Sequence, residues 1–209
     1  MKLFLTIAAL AFTGISMAQD QDPKAKVILD DLSKKTKAYS TIQVEFTMKT
    51  TNKTTGTNET VKGTATMKGS KYMIDLGKQK VLSDGVKVWT LLMKEKECTE
   101  ETVEDNNDAT TNPTKLLTIW EKGFKYRFIK DEGGIQEIHL FPMDTKKSKY
   151  HTVILKIDKA KEQVNSVTVK GKNGDVVELN VTKFTPNVAV EDAKFKFSKK
   201  DYPDFTVID

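Results

Sequence analysis

The stretch KVLSDGVKVWTLL, Lys80 to Leu92, reads as two strands folded back on each other by one turn. Asp84 and Gly85 tolerate the positive φ that a two-residue type I′ connection demands. Val81 and Leu82 precede that pair, and Val86, Val88, Trp89, Leu91 and Leu92 follow it, so both arms carry apolar residues. Such a hairpin belongs inside a larger sheet. It offers no nucleophile and no acid–base pair, so any role it has is in binding.

Upstream, the period of the apolar residues changes once. In DPKAKVILDDLSKKTKAY, Asp22 is placed to cap a helix and Pro23 suits its first position. Ala25, Ile28, Leu29, Leu32 and Tyr39 then recur at three- and four-residue spacing, which predicts an amphipathic helix that either covers a core or closes a cavity. After Ser40 the period becomes two: Ile42, Val44, Phe46 and Met48 alternate with Thr41, Gln43, Glu45 and Thr47. Residues Thr50 to Thr60 are polar and read as a connecting loop. Alternation resumes with Val61, Gly63, Ala65 and Met67, and again with Tyr72, Ile74 and Leu76. Gly63, Ala65 and Met67 are small or flexible; a sheet face lined with them packs closely on a helix or leaves room for something else.

Downstream, Glu95 to Asp108 is acidic, with Val103 its only aliphatic residue. Its carboxylates lack the spacing of a calcium loop, with that loop's central Gly and terminal Glu, so a solvated strand or loop is expected, with Cys98 an incidental thiol. In NPTKLLTIWEKGFKYRF, Asn112 can cap and Pro113 fits a first turn. Leu116, Leu117 and Trp120 share a face, and Gly123 can end the helix in a left-handed cap. A helix of about ten residues is marginal alone in water, so this one must dock across the sheet. Strands follow: Phe124, Tyr126 and Phe128; Ile138 and Leu140 after Gly133-Gly134; Val153, Leu155 and Ile157; then Val167 and Val169, the turn Lys172 to Asp175, and Val177, Leu179 and Val181. Roughly ten or eleven strands with short polar turns and one apolar face each imply a mainly β, α+β chain built on one curled antiparallel sheet.

The first residues, MKLFLTIAALAFTGISMAQD, combine Lys2, an apolar run from Leu3 to Ile15 and small residues at Ser16 and Ala18. That pattern predicts a secretory signal peptide over residues 1–18, cleaved after Ala18, and a single domain over residues 19–209. The run falls short of the ~20 apolar residues that span a bilayer. Cys98 is the only cysteine, so no disulfide framework and no lipid-modified cysteine after the leader are expected. Of 209 residues, 34 are Lys or Arg and 29 Asp or Glu, a net charge of +5, with the signs interspersed. No basic block or aromatic-lined basic groove points to nucleic acid.

No catalytic residue emerges. The two histidines, His139 and His151, lie in predicted strands and read as structural. No nucleophile elbow, phosphate loop, dinucleotide fingerprint or His-Glu-x-x-His motif occurs. Neither a metal nor a cofactor is expected, and the chain is not expected to be an enzyme.

In order and spacing, four segments are similar to the LolA-type outer-membrane lipoprotein carriers: GTATMKGSKYMID (Gly63 to Asp75), VLSDGVKVWTL (Val81 to Leu91), NPT (Asn112 to Thr114) and VEDAKFKF (Val190 to Phe197). The resemblance covers nearly all of the chain after its leader. It implies an incomplete antiparallel β-barrel with helices packed on the concave face as a lid. An apolar cavity would there hold the acyl chains of lipoproteins crossing the periplasm. It further implies an inner-membrane ABC-type lipoprotein-release complex and an outer-membrane receptor as partners, with the chain acting as a monomer. Under this reading the inward row would line the cavity: Val44, Phe46, Met48, Ala65, Met67, Ile74, Trp89, Leu91, Phe128, Leu140 and Leu155. Leu29, Leu32, Leu116, Leu117 and Trp120 would come from the lid. Core and cavity residues read alike in sequence, and Trp89 beside Val88 could face either side. One departure stands out: the family commonly has Arg-Pro where this chain has Gly69-Ser70, and the Arg is thought to bond the lid. The lid here must be held differently. A carrier of free lipid or glycolipid on the same fold, and a non-catalytic envelope interaction module, are the alternatives. The related receptor LolB is itself a lipoprotein, which the lack of a cysteine after the leader disfavours.

Overall fold

The structure, a computed structural model, describes residues 21–104, 112–116 and 118–208. The expected leader, the acidic residues 105–108 and Leu117 lie outside the described residues.

One helix of length opens the described chain: α1, Pro23–Ala38. The Asp22 carboxylate caps it, accepting from the backbone N–H of Lys24 at 2.9 Å and of Ala25 at 3.2 Å. Its other oxygen accepts from Phe128 N–H at 3.1 Å, so the same side chain ties the helix to the sheet. Burial works to raise the Asp22 pKa, but the N–H donors of Ala25, Phe128 and Lys24 outweigh it and hold the carboxyl below its ordinary value.

Twelve strands form one sheet: β1 (Ile42–Asn52), β2 (Thr57–Lys68), β3 (Lys71–Asp75), β4 (Gln79–Ser83), β5 (Lys87–Leu92), β6 (Glu97–Thr102), β7 (Phe124–Glu132), β8 (Ile135–Pro142), β9 (Tyr150–Asp158), β10 (Gln163–Gly171), β11 (Asp175–Pro186) and β12 (Thr206–Ile208). Their order is β12-β6-β5-β4-β3-β2-β1-β11-β10-β9-β8-β7, with β12 and β7 as the unjoined edge strands, so the barrel is incomplete. Every pairing is antiparallel except β12 on β6. The long pairing of β1 with β11 joins the two ends of the chain at mid-sheet. Bulges at Glu45/Phe46, Phe128/Lys130 and Val164/Ser166 add the local twist that curls the sheet.

Several local expectations change. The opening hairpin does not turn at two residues. Ser83 pairs with Val88, and the Asp84 carboxylate accepts from Val86 and Lys87 N–H at 2.9 Å each, making a longer loop. Val86 therefore sits exposed at its tip. The two-residue connection with both φ positive occurs instead at Gly133-Gly134, at 59° and 79°. The expected loop Thr50 to Thr60 is mostly strand, because β1 and β2 pair out to Asn52 and Thr57. Cys98 is fully buried on β6 rather than in a solvated segment. The predicted helix after Asn112 is only α2, Pro113–Leu116, followed by a separate 3-10 turn at Ile119–Glu121. Asn112 does cap α2 through Thr114 and Lys115 N–H. Beyond it, Trp120 Nε1 donates to Ser33 Oγ at 2.8 Å and Lys37 meets Glu121 at 2.5 Å. These anchors on α1 set the path of the segment, which a marginal short helix could not resist.

Candidate functional site

The concave face of the sheet is continuous. One cross-strand row runs Phe128, Ile138, Leu155, Val167, Leu179, Met48, Val61; a second runs Val44, Ala65, Ile74, Val81. Over β7–β9 this face is filled. Ala25, Leu29 and Leu32 of α1, with Ile119 and Trp120, pack on Ile138, Leu140, Val153 and Leu155, each of which is 0% exposed.

Over β1–β4, β10 and β11 it is not filled. There the face leaves a hollow of about 280 Å³, lined by Val44, Phe46, Met48, Ala65, Met67, Ile74, Leu76, Val81, Val164, Val167, Leu179, Val181 and Phe184. Pro113 and Leu116 of α2 lie across it. All fifteen lining residues are apolar. Gly63 shapes the floor: a Cβ there would stand 2.7 Å from Phe46 Cζ and 2.7 Å from Leu76 Cδ2, so both side chains lie against the bare backbone. At the rim, Asp75 accepts from Gly77 N–H at 2.8 Å and pairs with Lys80 at 2.9 Å, fixing the turn that carries Leu76. Burial pushes the Asp75 carboxyl up, but Lys80 and the Gly77 N–H bring it net below its ordinary value.

The structure thus brings Val44, Phe46, Met48, Ala65, Met67 and Ile74 together with Leu116. Leu140, Leu155, Leu29, Leu32 and Trp120 sit elsewhere, in the filled core under α1, and Phe128 packs at its edge with Lys24 Nζ 3.7 Å from its ring centroid. Trp89 and Leu91 point to the opposite face of the sheet. There Leu82, Cys98 and Phe205 join them in a separate core, flanked by Met73, Phe197 and Tyr202. The chain after β11 covers this face, so β5 is buried on both sides. Leu117 lies outside the described residues. Leu76, Val81, Pro113, Val164, Val167, Leu179, Val181 and Phe184 complete the hollow. Val81 follows Ile74 through the local pairing of β4 with β3, and Pro113 opens α2, but only the distant pairing of β11 with β1 brings the β10 and β11 residues there.

No side chain at position 69 holds α2. Gly69 lies in the β2–β3 turn at φ 58°, and α2 is secured through Trp120 and Glu121 to α1. His139 Nε2 lies 2.7 Å from Glu137 Oε1, and His151 is exposed beside Thr152. Among the described residues no three His, Cys, Asp or Glu side chains gather as a metal site would need, and no helix is long and apolar enough to cross a membrane.

An open, curled sheet around a wholly apolar hollow, with a short helix across it, is the build of a carrier for apolar cargo. The chain belongs to the LolA family, outer membrane lipoprotein carrier proteins, whose model matches residues 37–198. Members are non-catalytic proteins of the cell envelope that bind lipoproteins or lipids, and this chain is a carrier of that general kind. No curated protein matches it. Its fold is similar to that of an uncharacterized conserved protein from Thermus thermophilus, at 12% identity over 88% of this chain and 98% of that one, with a TM-score of 0.58. A putative outer membrane lipoprotein-sorting protein domain from Vibrio parahaemolyticus matches at 14% identity over 81% and 94% of the two chains, with a TM-score of 0.47. The lipoprotein LppX from Mycobacterium tuberculosis matches at 14% identity over 81% and 100%, with a TM-score of 0.45.

Proposed function

We propose that the protein is exported to the periplasm, shelters acyl chains of lipoproteins in the hollow under α2, and delivers them from the inner to the outer membrane. The observation that carries this reading is the lining itself, fifteen apolar residues and no polar one. An inner-membrane ABC-type release complex would load it and an outer-membrane receptor would accept the cargo. Burying a methylene contributes about 0.8 kcal/mol, so a chain of about sixteen carbons fully sheltered gains roughly 12 kcal/mol before binding costs. That is comparable to its gain in a bilayer, and a carrier that matched it would not let go. A hollow of about 280 Å³ sits at the small end of ligand sites, which run from about 300 Å³ upward. Partial shelter of this kind favours release, and loading then needs the energy-consuming step.

Native mass spectrometry of the full chain, expressed in a diderm host and isolated from the periplasm without detergent, tests this. Bound acylated polypeptide is expected. Bound lipid without polypeptide would instead make it a free-lipid carrier, and a protein reproducibly empty and indifferent to fatty-acid probes would overturn the carrier reading.

A further inference from the structure

Gly63 stands in β2 with ordinary extended backbone, unlike the eight described glycines whose φ is positive. No turn requires a glycine there. Inside a strand, glycine loses more backbone freedom on folding than any other residue and packs nothing. The reason for it lies in the space around it. Gly63 pairs with Phe46 of β1, and it sits one step past the end of the β2–β3 ladder, where Thr64 meets Asp75 and Leu76 follows.

A Cβ at this position would stand 2.7 Å from Phe46 Cζ, 2.7 Å from Leu76 Cδ2 and 3.0 Å from the Asp75 carbonyl oxygen. The carbonyl is backbone and stays, so the two side-chain tips must give way. The paired backbones of β1 and β2 lie beneath them, and the tips can lift only into the hollow that both of them line. Room for a side chain at residue 63 therefore comes out of the hollow's own volume, about 280 Å³. Along β2 the inward row grows from Gly63 through Ala65 to Met67, so the least volume is spent at the Gly63 end.

We propose that Gly63 is a specificity-determining residue: the room it leaves under Phe46 and Leu76 sets the length of acyl chain that the hollow shelters. This inference rests on the proposed function above. Each methylene sheltered raises affinity about fourfold, whereas one turned back by a displaced ring gains nothing. The space over residue 63 thus decides how many carbons count. A phenylalanine laid over a cross-strand glycine also restores packing to a bare strand, but that role bears on stability alone and leaves the preferred chain length untouched.

Competition of saturated fatty acids, from octanoate to stearate, against a fluorescent fatty acid on the full chain tests this. In the parent, affinity should climb with each carbon until the hollow is full and then level off. Gly63→Ala should level off about two carbons sooner, lowering the ratio of stearate to octanoate affinity at least about tenfold. Phe46→Leu, which shortens the side chain over the same glycine, should raise that ratio, and it decides the matter if Gly63→Ala does not fold. An unchanged ratio in the deciding variant, including an equal weakening at every length, would overturn the role of Gly63 and leave the carrier reading intact. A parent chain that binds no fatty acid of any length would overturn the carrier reading, and the role of Gly63 with it.

Discussion

Under α1, the strands β8 and β9 bury Ile138, Leu140, Val153 and Leu155 without remainder, whereas the same face of the same sheet under α2 leaves a hollow. The strands of the two halves are alike in apolar content. What differs is the cover and the size of the floor residues. The sixteen residues of α1 bring Ala25, Leu29 and Leu32 into the sheet, while the four of α2 bury none. Gly63 and Ala65 contribute little volume to the half beneath α2. An interior packed like a crystal makes a fold stable, and an interior left open beside it leaves room for a ligand; here one sheet has both.

The widest gap between the halves should appear on truncating one leucine in each. Leu155→Ala removes packing from a filled core and should cost about 2–5 kcal/mol. Leu179→Ala only widens an existing hollow and should cost well under half of that. Urea unfolding curves for both variants decide it, and equal losses would erase the distinction. Next in size is the fixing of α1, the element that fills its half. Asp22→Ala removes the cap and the bond to Phe128 and should cost about 1–2 kcal/mol. Because the folded-state pKa of Asp22 is lowered from 3.8, its contribution is complete above that value and is lost as the pH falls through the folded one. Parent and variant should therefore converge in stability as the solution is acidified below about pH 4. The smallest effect concerns the opposite face, which should behave like the filled half. Burial, with Glu100 adding to it, pushes the Cys98 thiol up to about 11. At pH 8 only about a thousandth is thiolate, so a thiol reagent should leave the native protein unlabelled and react once urea is added. Rapid native labelling would show that the segment carrying Phe205 does not cover β5 and β6.

Much of this architecture was legible locally. Asp22 and Pro23 start α1 where their chemistry requires, and the period-two alternation marks strands β1, β2 and β7–β11. The exposed Val86 was not legible, because Asp84 can organise either a two-residue turn or the longer loop it forms through its carboxylate. Six of the eleven expected lining residues gather at the hollow because Val44, Phe46, Met48, Ala65, Met67 and Ile74 lie on adjacent strands close in sequence. Leu140 and Leu155 have the same alternation yet lie under α1, and local periodicity carries no information on which helix covers which strand. Trp89 and Leu91 face the other way because the C-terminal segment buries the back of β5, so that strand is apolar on both faces and its period is mute. Val164, Leu179 and Val181 enter the hollow only through the pairing of β1 with β11, a contact between distant parts of the chain.

If the hollow holds acyl chains, Phe46→Glu should abolish their binding. The Phe46 ring lies over Gly63 at the floor of the hollow, so a carboxylate there meets any acyl chain that enters. Titration of a fluorescent fatty acid against parent and variant, with circular dichroism confirming that both are folded, should show saturable binding by the parent and none by Phe46→Glu. Undiminished binding by a folded variant would contradict the account and place the acyl site elsewhere.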